Sequence, residues 1–167
     1  MTAAEFLTTI LDPGLAWCAP VPGWTIPADD RARVLLLAIA GQESGWTYRV
    51  QGGAVAAAHG FWQFERAGGV AGVLNHAATK VEARAACAEA RVVATQAPVW
   101  AALATDDNLA VAFARLLLWS DPASLPGLTA EDACWEYYSR LWRPGRPGPD
   151  RWPGNYGAAM DAIAAMA

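Results

Sequence analysis

The sequence predicts an all-α fold, with residues 1–167 forming one domain of about seven helices and at most a small irregular β-ribbon. Three observations predict it. Alanine is abundant while runs of Val, Ile and Thr are short, which favours helix over sheet. Apolar residues make up 54% of the chain and charged ones 17%, so a core can be buried and disorder is excluded. A length of 167 residues is enough for one domain with a real core and too short for two comfortable ones.

The elements follow in order. Residues 2–11 read as a short amphipathic helix with Phe6, Leu7 and Ile10 on one side, stopped by Asp12-Pro13-Gly14. The Pro/Gly-rich connector 15–28 follows, anchored by Trp17 and Trp24. Pro27 and the pair Asp29-Asp30 start a second helix, whose positive N-terminal end the acids complement. It runs over 30–42, and 34–40 is apolar on nearly every side, the pattern of a central helix. The polar cluster Gly41-Gln42-Glu43-Ser44-Gly45 ends it. Over 46–72 glycines and aromatics break the pattern into loops or a small ribbon. Helical character returns at 80–94, 97–104 and 107–119, and Asp121-Pro122 stops the last of these. Thr129-x-x-Asp132 is a capping-box-like start for a helix to Trp142, with Asp in place of Glu. The loop 143–154 is rich in Arg, Pro and Gly, and 155–166 closes the chain as a helix.

Composition removes several function classes. A formal net charge of −4 argues against nucleic acid as a partner, because binding it requires a basic face. Arg140, Arg143, Arg146 and Arg151 nevertheless concentrate positive charge locally. Cys18, Cys87 and Cys134 form no Cys-x-x-Cys, and His59 and His76 lie far from them, so no metal site is expected and the thiols read as buried and reduced. No organic cofactor is implied. The N-terminus carries Glu5 and Asp12 and no basic leader, so no signal peptide is expected and synthesis in a cytoplasm is. The apolar run 34–40 is far too short for a membrane span, so no stable membrane insertion is expected.

The sharpest chemical feature is AIAGQESGWTYR, where Glu43 ends an apolar helix beside Trp46. A carboxylic acid protonates a poor leaving oxygen near neutral pH only if an apolar setting raises its pKa. The negative end of the helix dipole pushes the same way. Alone, the pattern leaves Glu43 open between a general acid and a solvated helix-end carboxylate.

A second feature, GFWQFE from Gly60 to Glu65, combines a tight turn, aromatics and one amide. Together with Glu43-Ser44, Gly60-Phe61-Trp62-Gln63 resembles the lysozyme-like superfamily, and within it the soluble lytic transglycosylases and goose-type lysozymes. Those families carry a Glu-Ser pair at the end of a buried helix and a Gly-Leu-Met-Gln-like motif some way beyond. The resemblance covers about residues 35–64, and the rest of the chain only in helical character. It implies that Glu43 is the general acid, that Ser44 and Gln63 hold the substrate with Gly60 in the turn, and that Trp62 lines the cleft. Trp46 is a further cleft candidate as a flat aromatic beside Glu43. The family's later Ala-Tyr-Asn-Ala-Gly element is absent as such. CWEYYSRLWRPG is the nearest candidate, with Tyr137 or Tyr138 in the tyrosine role, and both tyrosines read equally as core.

The resemblance further implies cleavage of peptidoglycan glycan strands with a single acid, the substrate's N-acetyl group and a 1,6-anhydro product. Glu65 is the candidate second acid, which would make the protein a two-carboxylate hydrolase of lysozyme or chitinase type; a plain surface position is the alternative. His59 is read as binding a sugar hydroxyl or phosphate, or as making one local hydrogen bond. Trp142 and Trp152 join the cleft candidates, since sugar rings stack on flat aromatic faces. The arginine loop is read either as a receptor for wall-peptide carboxylates or as a solvated loop. A small wall enzyme of this kind suggests a bacteriophage or prophage protein, an endolysin or a virion component with other virion proteins as partners. A non-catalytic wall-binding or structural protein on the same scaffold is the rival from another class.

Overall fold

Thr2 opens the first helix with a capping box: its hydroxyl accepts from the Glu5 N–H at 3.2 Å, and the Glu5 carboxylate accepts from the Thr2 N–H at 2.8 Å. In the computed structural model, which describes residues 1–50 and 57–166, this helix does not stop at Asp12-Pro13-Gly14. Instead α1 (Ala3–Phe6), a π-helical turn (Leu7–Leu11) and α2 (Asp12–Cys18) run on continuously. The Asp12 N–H bonds the Leu7 carbonyl five residues back, slipping the register just ahead of Pro13. Pro13 then falls in the first turn of a new α-helical segment, where a missing N–H costs little. Gly14 also serves the helix: an added Cβ would lie 2.5 Å from Val111 Cγ2, so glycine permits a close crossing.

The predicted central helix is α3 (Asp30–Ser44), in which every residue from Val34 to Gln42 is buried. Asp29 caps it by accepting from the Ala32 N–H at 3.0 Å, and Gly45 ends it in the left-handed region. Next come β1 (Ala58–His59) and β2 (Phe64–Glu65), antiparallel with Ala58 opposite Glu65 and His59 opposite Phe64. Residues 51–56, part of the stretch expected to hold loops or ribbon, lie outside the described residues. A π-helical turn (Arg66–Val70) and α4 (Ala71–Asn75) bring helix into the remainder, where only loop or ribbon was expected.

Helix α5 (Lys80–Glu89) is shorter than the expected 80–94. It closes in a Schellman motif: Arg91 adopts φ +56°, its N–H bonds Ala88 O, and the Val92 N–H bonds Cys87 O. The remaining helices are α6 (Gln96–Ala102), α7 (Asp107–Trp119), α8 (Glu131–Trp142) and α9 (Trp152–Ala164). Thr129 makes no capping box; α8 begins after Ala130 without a side-chain cap. Helix α9 starts earlier than expected, because Pro153 fits the first turn of a helix.

The described residues are mostly helical, with eight helices when the continuous run from α1 to α2 is counted once, and one two-stranded antiparallel sheet, which is the all-α class. Helix α9 lies along α3, while α7 and the first helix cover its other flanks. Arg115 ties α7 to the connector before α3, donating twice to Pro27 O at 2.9 and 2.7 Å. All three cysteines are free and buried. No helix among the described residues is long and apolar enough to cross a membrane.

Candidate active site

The end of α3, the β-ribbon, α8 and the arginine loop enclose an open cleft of about 1390 Å³. Glu43 enters it from the last turn of α3, half-buried. Its Oε1 accepts a 2.6 Å hydrogen bond from Tyr138 Oη. Tyr138 is itself immobilised, buried on α8 and stacked on Trp152 with ring centroids 5.3 Å apart and planes 8° from parallel. Burial first, and then the Glu43 charge, push the Tyr138 pKa well up, so the phenol keeps its proton and acts as a donor.

Burial raises the Glu43 pKa above its ordinary value. The Tyr138 hydrogen bond and the positive charge of Arg151 pull it back, and the negative charge of Glu65 adds to the rise. The acid thus holds its proton more tightly than a free glutamic acid, yet has a donor ready for its carboxylate form.

The turn between the strands buries Phe61 and Trp62 and leaves Gln63 at the cleft. Gly60 takes φ +75°, and its missing Cβ leaves room for Leu103 O. Gln63 takes φ +50°, an unusual angle for a residue with a side chain. Gln63 lines the cleft, and its Nε2 donates to Gly60 O at 2.9 Å and Tyr48 O at 3.3 Å. Trp62 is fully buried instead, donating from Nε1 to Leu36 O at 2.9 Å.

The residues expected around Glu43 therefore divide. Tyr138, Gln63 and Glu65 line the cleft with it, whereas Ser44, Trp46, Gly60, Trp62 and Tyr137 do not. Ser44 is buried and donates to Ala40 O one turn back. Trp46 folds back over Gly41, where an added Cβ would stand 2.5 Å from the indole, and donates to Leu37 O. Tyr137 is buried on another side of α8 and donates to Leu118 O at 2.8 Å. Glu65 is exposed on β2. Of the further tryptophan candidates, Trp142 lines the cleft and donates to Trp62 O, while Trp152 is buried behind Tyr138. His59 makes a local contact: Nδ1 lies 2.8 Å from Trp100 O, and the ring stacks on Trp100 at 3.7 Å.

Two contributors escaped the reading of the sequence. Gln42, 2% exposed, donates from Nε2 to Pro147 O at 2.6 Å and Gly148 O at 2.9 Å, and accepts from Asn155 Nδ2 at 2.9 Å. It fastens the arginine loop to the helix that bears Glu43. Tyr48, 68% exposed at the lip, offers the cleft an open aromatic face. The polar character of Gln42 inside an otherwise apolar helix was the available signal, since a buried amide demands partners.

Among the described residues no three His, Cys, Asp or Glu side chains form a group able to hold a metal ion. The chemistry on offer is proton transfer: one acid of raised pKa with a fixed donor behind it, an exposed second carboxylate, and an arginine-lined flank. No protein-family model, curated protein or solved structure matches the chain.

Proposed function

We propose that the chain cleaves the glycan strands of bacterial peptidoglycan at the β-1,4 bond between N-acetylmuramic acid and N-acetylglucosamine, with Glu43 as the sole acid–base group. The observation that carries this reading is the setting of Glu43, a half-buried carboxyl of raised pKa that opens onto a cleft and is held by Tyr138. A glycosidic oxygen leaves only when it is protonated, and a carboxyl that burial makes hold its proton more tightly than a free glutamic acid suits that need.

In the first step Glu43 gives its proton to the bridging oxygen as the bond from that oxygen to C1 breaks. The carbonyl oxygen of the neighbouring N-acetyl group bonds to C1 and takes up the positive charge. Glu43, now a carboxylate, is stabilised by the Tyr138 Oη–H and by the field of Arg151. In the second step O6 of the same sugar bonds to C1, the N-acetyl oxygen departs, and Glu43 takes the O6 proton. The product is a 1,6-anhydro sugar, and Glu43 is protonated again.

The resemblance of Glu43-Ser44 and Gly60–Gln63 to lytic transglycosylases supports this single-acid route. So does the contrast between the two carboxylates: Glu43 is hydrogen-bonded in place, while Glu65 accepts no hydrogen bond among the described residues. Ser44 and Trp62 act here as scaffold rather than as substrate contacts. A two-carboxylate hydrolase is the second reading, favoured by one observation, that Glu65 faces the same cleft.

The test is digestion of purified peptidoglycan by the wild type, Glu43→Gln and Glu65→Gln, with mass analysis of the released sugars. Anhydro ends that need Glu43 and survive Glu65→Gln support the proposal. Reducing ends lost in both variants establish the hydrolase. No release by the wild type leaves a non-catalytic protein on this scaffold.

A further inference from the structure

The cleft's charge runs against that of the chain. The protein carries a net −4, yet the residues lining the cleft include four arginines and only two acids, Glu43 and Glu65. Arg140 is neutralised outside the cleft lining, donating from Nε and Nη2 to Asp121 Oδ2 at 2.9 and 2.6 Å. Among the described residues, Arg143, Arg146 and Arg151 pair with no carboxylate. A run of arginines is ordinarily a solvated surface, but two observations set this one apart.

First, the loop is held. Gln42 hydrogen-bonds the carbonyls of Pro147 and Gly148, and Arg143 ends α8 in the left-handed region, bonding its N–H to Ser139 O. Gly148, at φ +57°, lies so close beneath Arg151 that an added Cβ would stand 3.1 Å from Nη2. Second, the loop faces the acid: Arg143, Arg146 and Arg151 line the same cleft as Glu43, and the positive charge of Arg151 lowers the Glu43 pKa. The loop backbone is thus held while the three arginine side chains stay exposed, and guanidinium groups presented from a fixed loop bind planar carboxylates through paired N–H donors.

We propose that Arg143, Arg146 and Arg151 form a subsite for a carboxylate carried on the glycan strand, so that the cleft selects acidic over neutral N-acetylated glycans. This rests on the reading of Glu43 as a glycan-cutting acid. The carboxylate has two sources in peptidoglycan, the peptide stems and, where stems are absent, the lactyl ether on the sugar itself. The subsite joins recognition to catalysis, because the loop that carries it is pinned to the last turn of α3 by Gln42, the residue before the acid.

The experiment measures binding of Glu43→Gln, which cannot cut, to three insoluble or oligomeric ligands: intact peptidoglycan, peptidoglycan stripped of stems by an amidase, and chitin oligosaccharides. The same protein carrying Arg143→Gln, Arg146→Gln and Arg151→Gln is compared with it. The single change Arg146→Glu, at an exposed loop position, serves as the variant least able to disturb folding. We expect the arginine changes to weaken binding to at least one carboxylate-bearing glycan by about tenfold or more, and to leave chitin binding within about twofold. Preference for the intact wall assigns the carboxylate to the stems, and equal or better binding of the stripped wall assigns it to the lactyl group. Equal losses on all three ligands, or none, overturn the subsite. Arginine-dependent binding by a wild type that cuts nothing would sink the glycan-cutting reading alone, and cutting indifferent to the arginines would sink the subsite alone.

Discussion

Tyr138 Oη donates to Glu43 Oε1 across 2.6 Å, joining the end of the central helix to a residue 95 positions later. The bond has a direction that matters. Tyr138 keeps its proton because burial and the neighbouring carboxylate raise its pKa, so it favours the charged form of Glu43. Burial favours the neutral form of the same group, and burial is the larger influence. The acid is therefore held between two opposed pulls, the arrangement a group needs if it is to lose a proton and regain it within one cycle.

Tyr138→Phe removes the pull toward the charged form. The Glu43 pKa should rise further, and the alkaline limb of the activity profile, where the acid loses its proton, should move to higher pH. The maximum rate should fall by about tenfold or more, since a hydrogen bond to a charged group contributes about 1.5–3 kcal/mol. Rates of peptidoglycan solubilisation across pH check both effects. A lower rate with an unmoved limb would make Tyr138 a packing residue only.

Glu43→Gln should lower glycan cleavage by roughly a thousandfold, the scale of a lost general acid. It should also raise the melting temperature at neutral pH. Folded Glu43 holds its proton more tightly than the unfolded chain does at the ordinary value of 4.5, so its contribution to stability declines as pH rises through the window above that value. Glutamine keeps the shape and an acceptor for Tyr138 without a charge to bury. The gain should vanish below about pH 4, where the carboxyl is protonated in both states. Melting curves of the two proteins at acidic and neutral pH decide it.

The central helix was legible because its signal is local and strong: Val34–Ala40 leaves no polar side, and such a segment has only one place to go. Glu43 was legible for the same reason, as the first acid beyond that run. The turn Gly60–Gln63 was legible as a turn but not in its handedness. Which of Trp62 and Gln63 enters the core depends on positive φ at Gln63, a backbone choice the side chains do not announce. Trp46 misled for a related reason, since Gly41 opens a seat for its ring that only the folded helix reveals. At Pro13 and Gly14 the residue types that usually stop a helix serve a π-helical slip and a close crossing instead. The arginine loop reaches the cleft through a Gln42 bond to Gly148 that spans 106 positions, and no spacing rule connects those two residues.

Gln42→Ala tests that fastening. It leaves the Pro147 and Gly148 carbonyls and the Asn155 amide without their partner, and should cost about 2–4 kcal/mol, because unsatisfied buried polar groups are expensive. Urea unfolding with an unchanged slope would give the stability loss. Hydrogen exchange should quicken in loop 143–151 while the core of α7 stays protected. A loss spread evenly over every helix would argue that Gln42 supports the core rather than the loop.

Gly14→Ala tests the crossing of the first helix over α7. Alanine is ordinarily the better helix former, by about 1 kcal/mol in a helix interior. Here its Cβ would meet Val111 Cγ2 at 2.5 Å, Cβ at 2.6 Å and Cγ1 at 2.9 Å, a clash that no change of valine rotamer removes. The helices must separate, and overpacking of this kind costs about 1–3 kcal/mol, outweighing the gain in propensity. Val111→Ala removes the two methyl carbons and should restore part of the loss, so the double variant should be more stable than the sum of the single losses predicts. Thermal or urea unfolding of the four proteins measures that coupling. Simple additivity would mean that the Cβ of residue 111, which alanine keeps 2.6 Å from the added Cβ, sets the cost and the two methyl carbons do not.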